Sequence, residues 1–261
     1  MPIESVLADR REVVSILAVD PELGEGLDAE AAATARRVVV ARVVRADRGT
    51  WHAAPAAESS RRSALLIIEG LVLHQLALLG KETAELLGPG DVLFLYGDDD
   101  PEMVPVPERW RVAQPAAFAV LDHSFFSVAR HWPALLNAIL GRVTNRTRQL
   151  GVQLATSRVT RVDERVLISL WKLAERWGRV APGGVLLPIP ITHETLARLV
   201  GAQRPSVTTA LGRLSRLGIV ERVTRGWLLH GDAVAQLARL EAGVERVSTS
   251  GAPAVAAEAT A

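Results

Sequence analysis

Between Thr192 and Leu217 the chain holds two short apolar periodicities that meet at Gly201, and no other segment restricts its fold so tightly. Thr192 is placed to cap a first helix, because its hydroxyl can accept a bond from a backbone N–H that the helix leaves unpaired. Glu194 then sets negative charge in the positive first turn. Leu196, Leu199 and Val200 recur at helical spacing, and Gly201 supplies a residue that takes positive φ where a helix exits sharply. A second helix is predicted from about Gln203 to Leu217. Pro205 fits it only in the first turn, where a missing N–H breaks no ladder bond. Val207, Leu211, Leu214 and Leu217 form its apolar stripe; Arg204, Ser206, Thr208, Thr209, Arg213 and Arg216 are turned away from it. Basic and hydroxyl groups with no acid among them suit phosphates and base edges.

A solvated helical hairpin would share this pattern, but two further features argue against it. Ile219–Leu229 holds two apolar runs about a turn containing Gly226, which predicts a β-hairpin directly after the second helix, in the position of a wing. Charge is also segregated along the chain. Residues 1–122 carry 12 Lys and Arg against 20 Asp and Glu, residues 123–157 carry 4 against none, and residues 158–231 carry 12 against 5. A net charge of +1 therefore conceals an acidic front and a basic back, the electrostatic footprint of phosphate binding.

With Val162–Trp177 as a preceding helix and Leu186–Ile191 as a strand leading into the capped one, residues 158–231 resemble the DNA-binding domain of the Crp/Fnr transcription regulators. That resemblance implies double-stranded DNA as a partner and RNA polymerase as a further candidate. Family members read bases through an Arg opening the second helix, the residue after it, commonly Glu, and an Arg one turn on. The matching positions are Arg204, Pro205 and Thr209, so only the first is kept and the operator should differ. Arg204 can grip guanine O6 and N7, worth about 1–3 kcal/mol of discrimination, whereas Pro205 offers only an apolar contact such as a thymine methyl. His193, Gln203, Ser206 and Thr208 fall at positions that touch phosphates in the family, and Arg213 is divided between phosphate contact and a solvated face.

One such module reads too few base pairs, so a dimer is expected. From Ser124 to Ser157, Leu136, Val143 and Leu150 recur every seven residues, with Ile139 or Leu140, then Leu154, between them. The seam suits a two-stranded coiled coil, Ile139 being assigned to it with Leu136, Val143, Leu150 and Leu154; a helix packed on its own domain gives a similar pattern. Half-sites about 10–10.5 bp apart follow.

The front of the chain is expected to open with a helix over 3–18, followed by strands at 38–44, 65–68, 71–76, 92–96 and 116–121, separated by Glu69-Gly70 and Gly88–Asp91 turns. The expected fold class is thus α+β. A β jelly-roll sensor domain (1–122) leads into a connecting and dimerisation helix (123–157), a winged helix-turn-helix domain (158–246) and a disordered tail (247–261).

A cyclic nucleotide is disfavoured as effector. The family's Gly-Glu and Arg-small phosphate cassette is missing, and Asp98, Asp99 and Asp100 stand near its place, where they would repel a phosphodiester. No cofactor is assigned. The chain has no Cys, which removes iron–sulfur and thiol chemistry. Its six His are scattered, and only His74 lies in a strand-like run, against the His-rich cluster that a metal-dependent jelly-roll enzyme needs. A protein-interaction adaptor without DNA binding is the other alternative, and Arg204 argues against it. With no apolar run of about 18 residues, no membrane partner is expected and the cytoplasm is the expected location.

Overall fold

The computed structural model describes residues 12–52, 63–94, 104, 106–224 and 226–240. The chain divides into two compact units, residues 1–152 and 153–261.

The first unit contains β1 (Val13–Ser15), α1 (Ile16–Val19), a 3-10 turn (Pro21–Gly24), α2 (Ala29–Val38), β2 (Val40–Ala46), β3 (Gly49–Trp51), β4 (Ala64–Leu78), β5 (Lys81–Leu87), β6 (Val92–Phe94), β7 (Glu108–Leu121) and α3 (His123–Ala129). α4 (Pro133–Ser157) begins in this unit and runs on into the second. The strands form one antiparallel sheet ordered β1-β2-β7-β4-β5, with β3 on β7 and β6 on β4. Successive residues of β4 enter two cores. Leu65, Ile67 and Val72 join Phe118, Val120, Trp51 and Trp110 on one side, while Ala64 and Leu66 join Leu121, Ile16, Phe125 and Leu135 on the other. Burial on both faces explains why this strand reads as a continuous apolar run instead of an alternating one.

Several expectations are corrected here. In place of the late part of a helix over 3–18, residues 13–15 pair with β2 and only Ile16–Val19 is helical; residues 1–11 lie outside the described set. The expected strands 65–68 and 71–76 are one strand, because Gly70 forms no turn but a bulge, with register shifts against β7 on either side. Its φ is +85°, and a Cβ there would lie 2.2 Å from the Pro115 carbonyl oxygen, so only glycine fits. The true reversal is Leu79-Gly80, both at positive φ, joining β4 to β5. α3 and α4 are separate helices: Asp122 caps the first and Pro133 opens the second. Residues 95–103, which include Asp98–Asp100, and the expected tail over 247–261 lie outside the described set.

The second unit contains α5 (Val162–Trp177), β8 (Arg179–Ala181), β9 (Gly184–Leu187), α6 (His193–Val200), α7 (Arg204–Arg216), β10 (Val220–Val223) and β11 (Gly226–His230), and residues 233–240 are helical. Its four strands are ordered β10-β11-β9-β8, so the expected hairpin continues the strand that leads into α6. Val166, Leu167 and Leu170 of α5 are buried, as are Leu196 of α6, Val207 and Leu214 of α7, and Leu229 of β11.

Candidate nucleic-acid interface

Local chemistry sets the two helices. Thr192 Oγ1 accepts from Thr195 N at 3.0 Å, Glu194 pairs with Arg198 one turn on at 3.1 Å, and Gly201 ends α6 at φ 60°, ψ 44°. The carbonyls at the end of α6 are capped from outside it. Gln153 Nε2 donates to Leu199 O at 3.2 Å, and Arg165 Nη1 donates to Val200 O at 3.0 Å and to Gly201 O at 3.2 Å. Gln203 is the N-cap residue of α7 and Pro205 lies in its first turn.

Val207, Leu211 and Leu214 are buried, with Ala210 completing the stripe. Leu217 departs from expectation: it is the C-cap residue and 42% exposed, because the helix ends at Arg216 before the stripe reaches it. On the opposite side Gln203, Arg204, Pro205, Ser206, Thr208 and Thr209 are all exposed. Among the described residues the Arg204 guanidinium has neither hydrogen-bond nor ion-pair partner, whereas Thr208 Oγ1 donates to Arg204 O at 3.0 Å and Thr209 Oγ1 to Pro205 O at 3.2 Å.

His193 Nδ1 lies 3.0 Å from Thr208 Oγ1 and joins α6 to α7. Partial burial, then the Arg222 and Arg204 charges, hold its imidazole below the ordinary histidine range. Arg222 of β10 covers the Trp227 ring at 4.5 Å and donates to Ile191 O at 3.2 Å, which ties the wing to the approach to α6. Arg213 is not a free cation. Its Nη1 meets the Asp163 carboxylate of α5 at 2.9 Å while 40% of its side chain stays exposed, so it is not the simply solvated cation that the sequence allowed, and its phosphate contact stands as a proposal. Arg222, Arg165, Gln153 and Asp163 carry no signal in the sequence, since each acts on a backbone or partner remote along the chain.

The seam residues divide. Ile139 is 4% exposed within the core of the first unit, with Leu136 and Val143 packed against it, so Ile139 is withdrawn from the seam. Leu140 at 62%, Leu150 at 42% and Leu154 at 63% are open. A repeat in which Leu140 takes the place of Ile139 runs through Thr147 to Leu154 at sevenfold spacing, with Val143 and Leu150 between.

In the first unit His74 stacks on Trp110 with ring centroids 4.1 Å apart, and its Nε2 lies 3.2 Å from Glu108. Arg146 of α4 holds Glu85 in a bidentate pair, 3.0 Å through Nε and 2.8 Å through Nη2. Burial alone would raise the Glu85 pKa, but bonds from His74 and Arg146 and the Arg146 charge lower it below the usual range. A carboxylate therefore already neutralises Arg146. Arg109 and Arg111 are exposed on β7, so none of these three is an unpaired interior cation for a cyclic-nucleotide phosphate. Among the described residues no group of three or more His, Cys, Asp or Glu is placed to hold a metal ion, and no helix is long and apolar enough to cross a membrane.

Residues 164–240 match the family model described as a Crp-like helix-turn-helix domain. The chain is 32% identical over 103 residues to a CRP-like cAMP-activated global transcriptional regulator of Mycobacterium tuberculosis, a match covering 39% of this chain and 42% of the relative. It thus spans less than half the length of the curated relatives it matches. Similar solved structures include a CooA variant from Carboxydothermus hydrogenoformans (TM-score 0.61, 20% identity, covering 77% of this chain and 87% of the other). FixK2 from Bradyrhizobium japonicum follows with a TM-score of 0.57, 14% identity and coverage of 77% and 96%. A transcriptional regulator of the CRP/FNR family from Thermus thermophilus has a TM-score of 0.51, 20% identity and coverage of 76% and 98%.

The architecture is accordingly that of two units, a β-sheet front and a winged helix-turn-helix back. Residues 164–240 are a Crp-like helix-turn-helix domain, and over about three quarters of its length the chain shares the fold of the CRP/FNR-type structures.

Proposed function

We propose that the protein is a dimeric, sequence-specific DNA-binding transcription regulator of the Crp/Fnr type, with α7 in the major groove and the first unit sensing an effector other than a cyclic nucleotide. The observation that carries this reading is the exposed face of α7, led by Arg204, which has no partner among the described residues, and bordered by His193 and Arg222. A guanidinium left unpaired on a convex helix presents two parallel donors, which match the two acceptors of guanine in the major groove. Gln203, Ser206 and Thr208 border it as phosphate contacts that fix register, and the Leu140, Leu150 and Leu154 face of α4 pairs with that of a second copy, setting two recognition helices about one DNA turn apart.

Selection of bound duplexes from a random pool, at fixed salt, tests the proposal. An inverted repeat with a guanine in each half-site is expected, and Arg204→Ala should lose the preference at that guanine. Binding without sequence preference, or an unchanged preference in the variant, would overturn it.

A further inference from the structure

We propose that Pro205 and Thr209 form an apolar base-reading patch on α7 that docks the C5-methyl group of thymine beside the guanine held by Arg204. The inference rests on the DNA-binding reading above and names the half-site chemistry that it leaves open.

Pro205 and Thr209 are one helical turn apart, hence neighbours on the same face, and both are exposed. Their chemistry is less polar than their composition suggests. Pro205 has no donor. The hydroxyl proton of Thr209 is directed to the Pro205 carbonyl at 3.2 Å, and that of Thr208 to the Arg204 carbonyl at 3.0 Å. The purine N7 and O6 positions and thymine O4 are acceptors and require a donor, which neither threonine has free. Besides the acceptor capacity of the Thr209 oxygen, the pyrrolidine ring and the Thr209 γ-methyl remain, and the apolar group that a base edge offers in the major groove is the thymine methyl. The surface is not one that another protein's apolar face would choose. It lies near the cations Arg204 and Arg222, and it belongs to a basic segment carrying 12 Lys and Arg against 5 Asp and Glu over residues 158–231.

The test uses the full-length protein and the selected operator, replacing one thymine at a time with deoxyuridine, which removes the methyl and keeps pairing and O4. Loss of about fourfold in affinity is expected at each contacted thymine, the size of one buried methyl group. Thr209→Val, which keeps a methyl and removes the hydroxyl, should retain that loss; Thr209→Ser, which keeps the hydroxyl and removes the methyl, should weaken binding to the thymine site and reduce the difference from deoxyuridine. Pro205→Glu, which supplies an acceptor, should move the preference at its base toward cytosine. Indifference of a selected operator to every deoxyuridine substitution would overturn this inference while leaving DNA recognition standing, whereas failure to select any operator would overturn both.

Discussion

Arg213 Nη1 lies 2.9 Å from Oδ2 of Asp163, a carboxylate 7% exposed that Arg161 also grips at 3.1 and 2.6 Å. The second helix of the helix-turn-helix pair is thereby keyed to the first helix of its domain by a charge the domain encloses. Asp163→Asn keeps the shape but removes the charge and one of the two accepting oxygens that Arg161 and Arg213 share. A loss of about 1–3 kcal/mol in the stability of the second unit is expected from urea unfolding of the full chain. No loss would show that the pair contributes nothing to the fold.

The same carboxylate gives the unit an acid limit. Burial alone would raise the Asp163 pKa, but the Arg161 hydrogen bond and the Arg161 and Arg213 charges outweigh it and hold the group below its ordinary 3.8. The unfolded chain therefore binds a proton at this site before the folded one does, so stability falls with falling pH. The contribution is complete above the ordinary value and disappears as pH drops through the lowered folded value. Denaturation midpoints followed into the acid range should fall more steeply in the wild type than in Asp163→Asn. Parallel curves would refute the linkage.

Arg204→Ala should weaken operator binding by about 1–3 kcal/mol and relax preference at one base. Arg204→Lys should recover phosphate attraction without the preference, because an ammonium lacks the planar fork. Fluorescence anisotropy against operator and scrambled duplexes separates the two effects, and equal losses on both duplexes would assign Arg204 to the backbone.

Ile139 and Leu154 lie on one helix but should behave oppositely. Ile139→Ala opens a cavity in the core of the first unit and is expected to cost about 2–4 kcal/mol of stability while the assembly remains a dimer. Leu154→Glu places charge on an exposed position of the proposed seam and should yield folded monomers in sedimentation experiments. A dimeric Leu154→Glu protein would place the partner elsewhere.

At Gly70 a methyl group would meet the Pro115 carbonyl oxygen at 2.2 Å and force φ +85° on a residue that avoids it. Gly70→Ala should cost at least the 1–3 kcal/mol typical of one strained backbone position. Loss of the cooperative transition of the first unit, followed calorimetrically, is the expected signature.

The paired helices were legible because their signals are local. A threonine cap, a glycine exit and a proline in the first turn act within a few residues of where they stand. β5 was not legible, since Lys81–Leu87 has the composition of a helix and becomes a strand only by pairing with β4 across Leu79-Gly80. α2 was likewise unmarked, although Asp28 caps it by accepting from Ala31 N. Residues 13–15 carry an amphipathic helical period, yet the open edge of β2 recruits them as a strand. On α7, Arg204 and Thr209 could be placed outward from periodicity alone, but not the engagement of Arg213 by Asp163 or the backbone bond of the Thr209 hydroxyl.

By itself the sequence determined which segments become helices of the second unit, which faces of them turn to solvent and where the basic charge concentrates, because these follow from neighbours along the chain. Tertiary structure alone decided which cations are paired: among the described residues Arg204 meets no acid, while Arg213 and Arg146 meet Asp163 and Glu85. It also decided that Ile139 and not Leu140 faces the core. The reason is that charge pairing and burial are set by distances in space, and residues far apart along the chain become neighbours only once the fold has closed.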